Sequence, residues 1–418
     1  MKVLHIGHSD IVGGANIATT RLSESLRRID ISSTQLVRLK ITNDPTVKKI
    51  IGGKFGRAIS SIRRIIGRGI CTIFDPNISR VKSIGIIPSF VSNKINKISP
   101  DIVHLQWVGH ETISIKDIMR IKQPLVWTCH DLWPISGAEH ISFDDYYING
   151  YKETSGNTWG LDILNRWVWI NKKNLFNKKN INIVAPSKWM AKQIKKSTIS
   201  NNLNISVIPN PIDTGVWLPV KKDKARKSLG IPSGKKVILF GLFGDTNVEN
   251  KGFDLLLQAL GEINYKNSDL VVMTFGGENK QSIKDIGYKM YNFGFVSELD
   301  LMRKLYSAAD IYTMPSRIES FGQTASEASA CGTPVVAFNN TGVADIVVDK
   351  KTGWLANPFD VSDFAHGIEY LLNEVDVNEF SLNARNFIIE NFSYSVVAKK
   401  FEKLYTKILS SQHDDPLS

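Results

Sequence analysis

Residues 311–337 read IYTMPSRIESFGQTASEASACGTPVVA. Ile311–Met314 is a short run with the β-branched and aromatic side chains of a strand, followed by a loop. A helix opens near Gly322 and stops at Cys331-Gly332, and Pro334–Ala337 starts a second strand. A strand, a helix and a further strand in that order are the repeating unit of a parallel sheet with right-handed crossovers. The alternation recurs on both sides. Lys2–Ile6, Asp101–Leu105, Leu125–Cys129 and Asn182–Ala185 read as strands in the first half, with Asn16–Arg28 a helix after the first. Lys236–Phe240, Leu270–Phe275 and Met290–Phe293 join the opening stretch in the second half. The fold class is therefore α/β, built of two doubly wound, Rossmann-like domains.

The chain has 418 residues, more than one hydrophobic core ordinarily serves. A seam falls at Ile208-Pro209-Asn210-Pro211-Ile212-Asp213, where two prolines disfavour helix. This gives an N-terminal domain, 1–212, and a C-terminal domain, 213–392. Apolar residues at 42% and charged residues at 22% exclude wholesale disorder, and no apolar run is long enough to span a bilayer. Residues 1–12, MKVLHIGHSDIV, lack the apolar core and cleavage site of a signal peptide, so a cytoplasmic location is expected. Cys71, Cys129 and Cys331 are too scattered for a disulfide framework or a zinc site and are expected as buried thiols.

Charge is unevenly divided. Residues 1–212 hold 30 Lys+Arg against 14 Asp+Glu, a net of +16, whereas the remainder carries −4. The densest stretch, Lys48–Gly69, has seven basic residues and no acidic one. Within it Phe55, Ile59, Ile62, Ile66 and Ile70 recur at helical spacing, with Lys54, Arg57, Arg63, Arg64 and Arg68 mostly elsewhere on the wheel. That pattern predicts a basic amphipathic helix in peripheral contact with an anionic membrane surface, at its inner face. The competing reading is a surface helix that packs its isoleucines on the core. Nucleic acid is not expected as a partner, because base-stacking aromatics and recognition motifs are missing.

In open α/β sheets, ligands bind beyond the carboxyl ends of the strands. After the first strand, Gly13 and Gly14 precede a helix and allow close approach of a phosphate. In the opening stretch, Glu319 lies in the loop and Glu327 on the helix, eight residues later. A carboxylate near a helix N-terminus can accept two hydrogen bonds from a ribose diol. Asp144-Asp145 reads as a loop pair, so no metal is expected. Tyr146, Tyr147, Tyr151, Trp159, Trp167 and Trp169 would suit either stacking on acceptor sugars or core packing.

Taken together, these motifs resemble the GT-B retaining glycosyltransferases of family 4. The likeness rests on Glu319-x7-Glu327 with Ser320-Phe321-Gly322 and Ala330-Cys331-Gly332-Thr333-Pro334-Val335-Val336, on Gly13-Gly14-Ala15, and on Thr128-Cys129-His130-Asp131. Pro186-Ser187-Lys188, the hinge segment and Asn250-Lys251-Gly252-Phe253-Asp254 extend it over most of the chain. The resemblance implies two domains facing across a cleft, and a last helix, 393–410, packing back on the first. It implies a nucleotide-diphosphate sugar as donor substrate, with no cofactor. Lys251 would neutralise the diphosphate, Glu327 hold the ribose, and Glu319 lie by the sugar as a catalytic group. Ser320, Phe321, Gly322, Gln323, Gly13, Gly14, Gly244 and Phe295 would complete the donor site. His130 would be catalytic and, with Asp131, Glu139 and His140, would meet a lipid-diphosphate-linked or oligosaccharide acceptor. Trp127–Trp133 with Gly137-Ala138-Glu139-His140 resembles the bacterial members that build surface polysaccharide. One departure is present: where the family carries Gly-Arg-Leu, this chain has Gly241-Leu242-Phe243-Gly244-Asp245, without the second diphosphate cation. A phosphorylase, an epimerase and a sugar-nucleotide-binding scaffold without turnover are the alternative readings.

Overall fold

A computed structural model describes residues 1–74, 81–152, 159–241, 249–265, 269–277 and 287–413. The chain forms two compact units, Met1–Pro211 with Val397–Ser418, and Ile212–Val396.

The first unit is a seven-stranded parallel sheet. Its strands are β1 (Lys2–Ser9), β2 (Ser32–Leu39), β3 (Val47–Lys49), β4 (Ile102–Leu105), β5 (Leu125–Thr128), β6 (Ile181–Ala185) and β7 (Ile205–Val207). Their spatial order, β3-β2-β1-β4-β5-β6-β7, reverses between β1 and β4. Successive side chains of a strand point to opposite faces, and here both faces are covered. Leu4, Val103, Leu125 and Ile183 enter one core. Val3, Ile102, Val126 and Val184 enter the other, against the helix Gly14–Arg27 and the body of the last helix. That two-sided burial explains why the strands read as nearly continuous apolar runs.

The second unit repeats the design with six parallel strands. They are β8 (Lys236–Gly241), β9 (Leu270–Phe275), β10 (Lys289–Asn292), β11 (Ile311–Met314), β12 (Val335–Phe338) and β13 (Gly353–Ala356), in the order β10-β9-β8-β11-β12-β13. Val237, Leu239, Val271 and Met273 face one core. Ile238, Phe240, Leu270 and Val272 face the other. The order reverses between β8 and β11, the kind of position at which open parallel sheets bind ligands.

Several elements depart from the sequence reading. Strand β2, SSTQLVRL, has no apolar alternation because two of its buried residues, Ser33 and Gln35, are polar and satisfied. Ser33 Oγ accepts from His5 Nε2 at 3.1 Å, and Gln35 Nε2 donates to Thr20 Oγ1 at 3.2 Å. Edge strand β13 is not among the strands read from the sequence; it needs glycine at its start, where a Cβ on Gly353 would sit 2.1 Å from Val335 O.

The basic stretch does form a helix, Gly53–Phe74, and the face it packs is not the one that carries Ile62 and Ile66. Gly56, Arg63, Gly67 and Cys71 are buried, whereas Ile62 and Ile66 are exposed. Small residues decide the contact: a Cβ on Gly67 would lie 2.7 Å from Glu111 Cγ, so only glycine permits this approach. Arg63 is 7% exposed and donates to Ile87 O at 3.0 Å, which turns it away from any external surface. The side chains of Lys54 and Arg57 lie outside the described residues. All three cysteines are buried.

The last helix, Tyr394–His413, is tied to the first sheet by a polar contact. Tyr405 Oη lies 2.7 Å from Nδ1 of His104, whose Nε2 is 2.7 Å from Thr128 Oγ1. All three groups are buried. Tyr405→Phe leaves an imidazole nitrogen without its partner, and the expected loss is about 1–3 kcal/mol in denaturant unfolding.

Candidate functional site

In the second unit the site is built on loops at the reversal of strand order. The loop Pro315–Gly322 leaves β11 and runs between two turns. On one side, Arg317 N donates to Asn250 O at 2.8 Å, and Gly252, at φ 66°, brings its Cα against Pro315. A Cβ there would stand 1.9 Å from Pro315 O. On the other side, Gly342 N donates to Glu319 O at 2.7 Å, and a Cβ on Gly342 would fall 2.3 Å from Ser320 O. The loop backbone is thus held on both flanks.

This clamp sets the Glu319 side chain against Lys251, with Nζ 2.6 Å from Oε2. Both are partly buried, so the pair is less screened by solvent than a surface one. The helix Gln323–Ala330 starts on Gly322, at φ 101° and without a side-chain cap. An uncapped helix N-terminus presents backbone amides suited to an anion. One turn in, Glu327 is buried, and its Oε2 accepts a hydrogen bond from Tyr306 Oη at 3.0 Å. Burial, and then the Glu327 charge, push the Tyr306 phenol well above its usual range, so it remains a donor.

Arg317 does not replace the missing arginine. Its guanidinium grips Asp254 with two hydrogen bonds of 2.7 and 2.5 Å, which hold that carboxyl below its usual range. Phe321 is core, packed edge-on against Phe392 with centroids 5.8 Å apart, so its ring is closed to a ligand. Ser320 and Gln323 are partly buried beside Gly322, and Phe295 is exposed. Gly244 lies outside the described residues.

In the first unit, Gly13 adopts φ 84° and opens the helix Gly14–Arg27, again without a side-chain cap. His130, after β5, donates from Nε2 to Gln106 Oε1 at 2.8 Å. Gln106 Nε2 in turn donates to His5 Nδ1 at 3.1 Å. This relay fixes the His130 ring with its Nδ1 available as an acceptor, and burial lowers its pKa to about 4. Asp131 Oδ2 accepts from Trp107 Nε1 and from His140 Nδ1, each at 2.6 Å. These residues line one small cavity with Gln106, Trp127 and Trp133. Glu139 turns inward, where its carboxylate accepts from Tyr151 Oη at 2.5 Å and burial raises its pKa. Beneath the segment, fully buried Lys172 donates to Gly137 O at 2.7 Å and to Trp133 O, with its ammonium 4.5 Å from the centre of the Trp133 ring.

The sequence singled out His130, Asp131, His140, Lys251, Glu319 and Glu327. It did not reveal Gln106, Trp107, Lys172, Tyr306 or Gly342, which position them. These belong to other strands and helices, and no spacing connects them to the residues they hold. Of the aromatic group, Tyr147, Tyr151 and Trp169 are core, whereas Trp167 is exposed.

Two doubly wound parallel sheets with strand-end loops of this kind define a GT-B protein. Residues 12–216 match the glycosyltransferase family 4 profile, and residues 221–387 match glycosyl transferases group 1. The chain belongs to the retaining GT-B glycosyltransferases of family 4. It is 31% identical over 233 residues to a D-inositol 3-phosphate glycosyltransferase of Corynebacterium aurimucosum, 51% of this chain and 53% of that one. It is 27% identical over 215 residues to the lipopolysaccharide 1,2-N-acetylglucosaminetransferase of Salmonella typhimurium, 48% of this chain and 55% of that one. The chain thus spans about half the length of these curated relatives. Sucrose-phosphate synthase of Thermosynechococcus elongatus shares the fold at TM-score 0.68 and 17% identity, over 98% of this chain and 100% of that one. HepE of Anabaena, solved in complex with UDP and glucose, does so at TM-score 0.65 and 17% identity, over 97% and 100%.

Two outcomes follow from this geometry. Gly342→Ala forces a methyl into backbone, and a stability loss of about 1–3 kcal/mol is expected in thermal unfolding. The buried imidazoles of the first unit predict acid sensitivity. Burial lowers His5 and His8 from 6.5 to about 3, and His110 and His130 to about 4. They are neutral when folded and protonate more readily once unfolded. Stability is therefore full above about pH 6.5 and falls as pH drops from 6.5 towards 4, read as the unfolding midpoint against pH.

Proposed function

We propose that this chain transfers a sugar from a uridine-diphosphate donor, with retention at the anomeric carbon, to a lipid-linked or oligosaccharide acceptor in surface-polysaccharide assembly. The observation that carries this reading is the Lys251–Glu319 pair at 2.6 Å, beside the uncapped helix that bears Glu327.

Lys251 and the first-turn amides of the helix Gln323–Ala330 neutralise the diphosphate and stabilise the charge that grows on it as the sugar leaves. Glu327, held by Tyr306, accepts the ribose hydroxyls. Glu319 binds sugar hydroxyls and supports the positive anomeric carbon. The bond from that carbon to the diphosphate oxygen breaks while the acceptor oxygen bonds on the same face. The acceptor proton passes to the departing phosphate oxygen. His130, neutral near pH 7, offers an acceptor atom to a substrate hydroxyl. Uridine is supported by the UDP and glucose complex of HepE. A polysaccharide acceptor is supported by the Salmonella relative.

Thermal unfolding with UDP, GDP or ADP in EDTA tests the donor. UDP at a hundred times its dissociation constant is expected to stabilise by about 2.7 kcal/mol, and the other two by less. Lys251→Ala and Glu319→Ala are each expected to lower transfer by about a hundredfold or more. Wild-type rates in both variants would remove the site assignment. A UDP shift without transfer to any acceptor would leave a binding scaffold.

A further inference from the structure

The helix Gly53–Phe74 shows its isoleucines to solvent. Ile62, Ile65 and Ile73 are 54%, 64% and 77% exposed, with Ile66 also exposed between them. They recur over successive turns, which places them along one side of the helix. Monomeric soluble proteins rarely leave such a stripe uncovered. Arg64 and Arg68 are exposed on the same helix, and Lys48–Gly69 contains no acidic residue.

The helix Trp159–Lys178, packed against it, repeats the pattern. Ile163, Trp167 and Ile170 are exposed at spacings of four and three residues, with exposed Arg166 and Lys173 between and beyond them. A tryptophan has the amphipathic ring that settles at the headgroup level of a bilayer.

We propose that these two helices seat the chain on the surface of an anionic lipid membrane, the isoleucines and Trp167 entering the acyl boundary and the four cations meeting acidic headgroups. Charge complementarity selects this occupant: an acidic surface satisfies the arginines, and a fluid apolar boundary satisfies aliphatic side chains that form no pocket. Among the described residues no helix is long and apolar enough to cross a membrane, so the contact lies in the interface plane. Arg64 also acts electrostatically on His8 and Arg38, at the carboxyl ends of β1 and β2. The membrane-facing helix therefore borders the edge of the sheet where an acceptor would arrive. The proposal goes beyond the transfer reaction and does not depend on it.

The full chain is sedimented with vesicles of phosphatidylcholine alone or mixed with phosphatidylglycerol, at low and high salt. Binding to the mixed vesicles, weakened by salt, is expected. Arg64→Gln with Arg68→Gln is expected to weaken it at least about tenfold. Ile65→Asn with Ile73→Asn is expected to do the same with an unchanged unfolding midpoint, and Trp167→Ala to weaken it from the second helix. Failure of the wild type to bind, or equal binding by the isoleucine variant, would overturn the proposal. So would a wild-type dimer that the isoleucine variant dissociates, which would assign the stripe to a second copy. UDP-dependent stabilisation is measured on each variant, so loss of membrane binding is told apart from failure of the donor site.

Discussion

Both sheets give up both of their faces to helices, and the chemistry is confined to the strand ends as a result. Val3 and Leu4 enter opposite cores, as do Val237 and Ile238. With the faces filled, the backbone groups and side chains that can meet a ligand are those in loops at the sheet edge. Parallel pairing puts all the carboxyl ends of a sheet on one side. The reversal of order beside β1 and beside β8 then marks, in each unit, the kind of position at which open parallel sheets bind ligands.

Within that frame the second unit holds its charges by steric exclusion of everything larger than glycine. Gly252 and Gly342 let two turns close on the Pro315–Gly322 loop from either flank. Glu319 is consequently aimed by backbone contacts, and Lys251 meets it from the neighbouring loop. In the proposed donor complex, a diphosphate would compete with Glu319 for the Lys251 ammonium. Arg317, fully engaged with Asp254, does not join that competition.

The first unit positions its groups by polar relays. His130, Gln106 and His5 run across β5, β4 and β1, and Trp107 and His140 share one oxygen of Asp131. Buried polar groups of this kind must be satisfied, and the chain satisfies them with one another. Lys172 below Trp133 supports the same segment from the core. Burial keeps His5 and His130 neutral near pH 7, which suits His130 to accept a hydrogen bond from a hydroxyl.

The sequence by itself determined the α/β class and most of the strands, and it marked Glu319, Glu327, Lys251 and His130 as candidates, because short apolar strands and glycine-bounded loops are local signals. Strand β2 escaped because its inward Ser33 and Gln35 are polar, and only their partners on other elements make that burial tolerable. Arg63 read as a surface cation of the basic helix, yet it is buried, while Ile62 and Ile66 are exposed. Hydrophobic periodicity ranks faces by composition, whereas close packing ranks them by shape. Gly67 fits against Glu111 and Gly56 against Ile51, with Cys71 in the core on the same helix. Tyr306 on Glu327, Gln106 on His130 and Gly342 on Glu319 join residues far apart in the chain, so tertiary structure alone decided how the site is aimed.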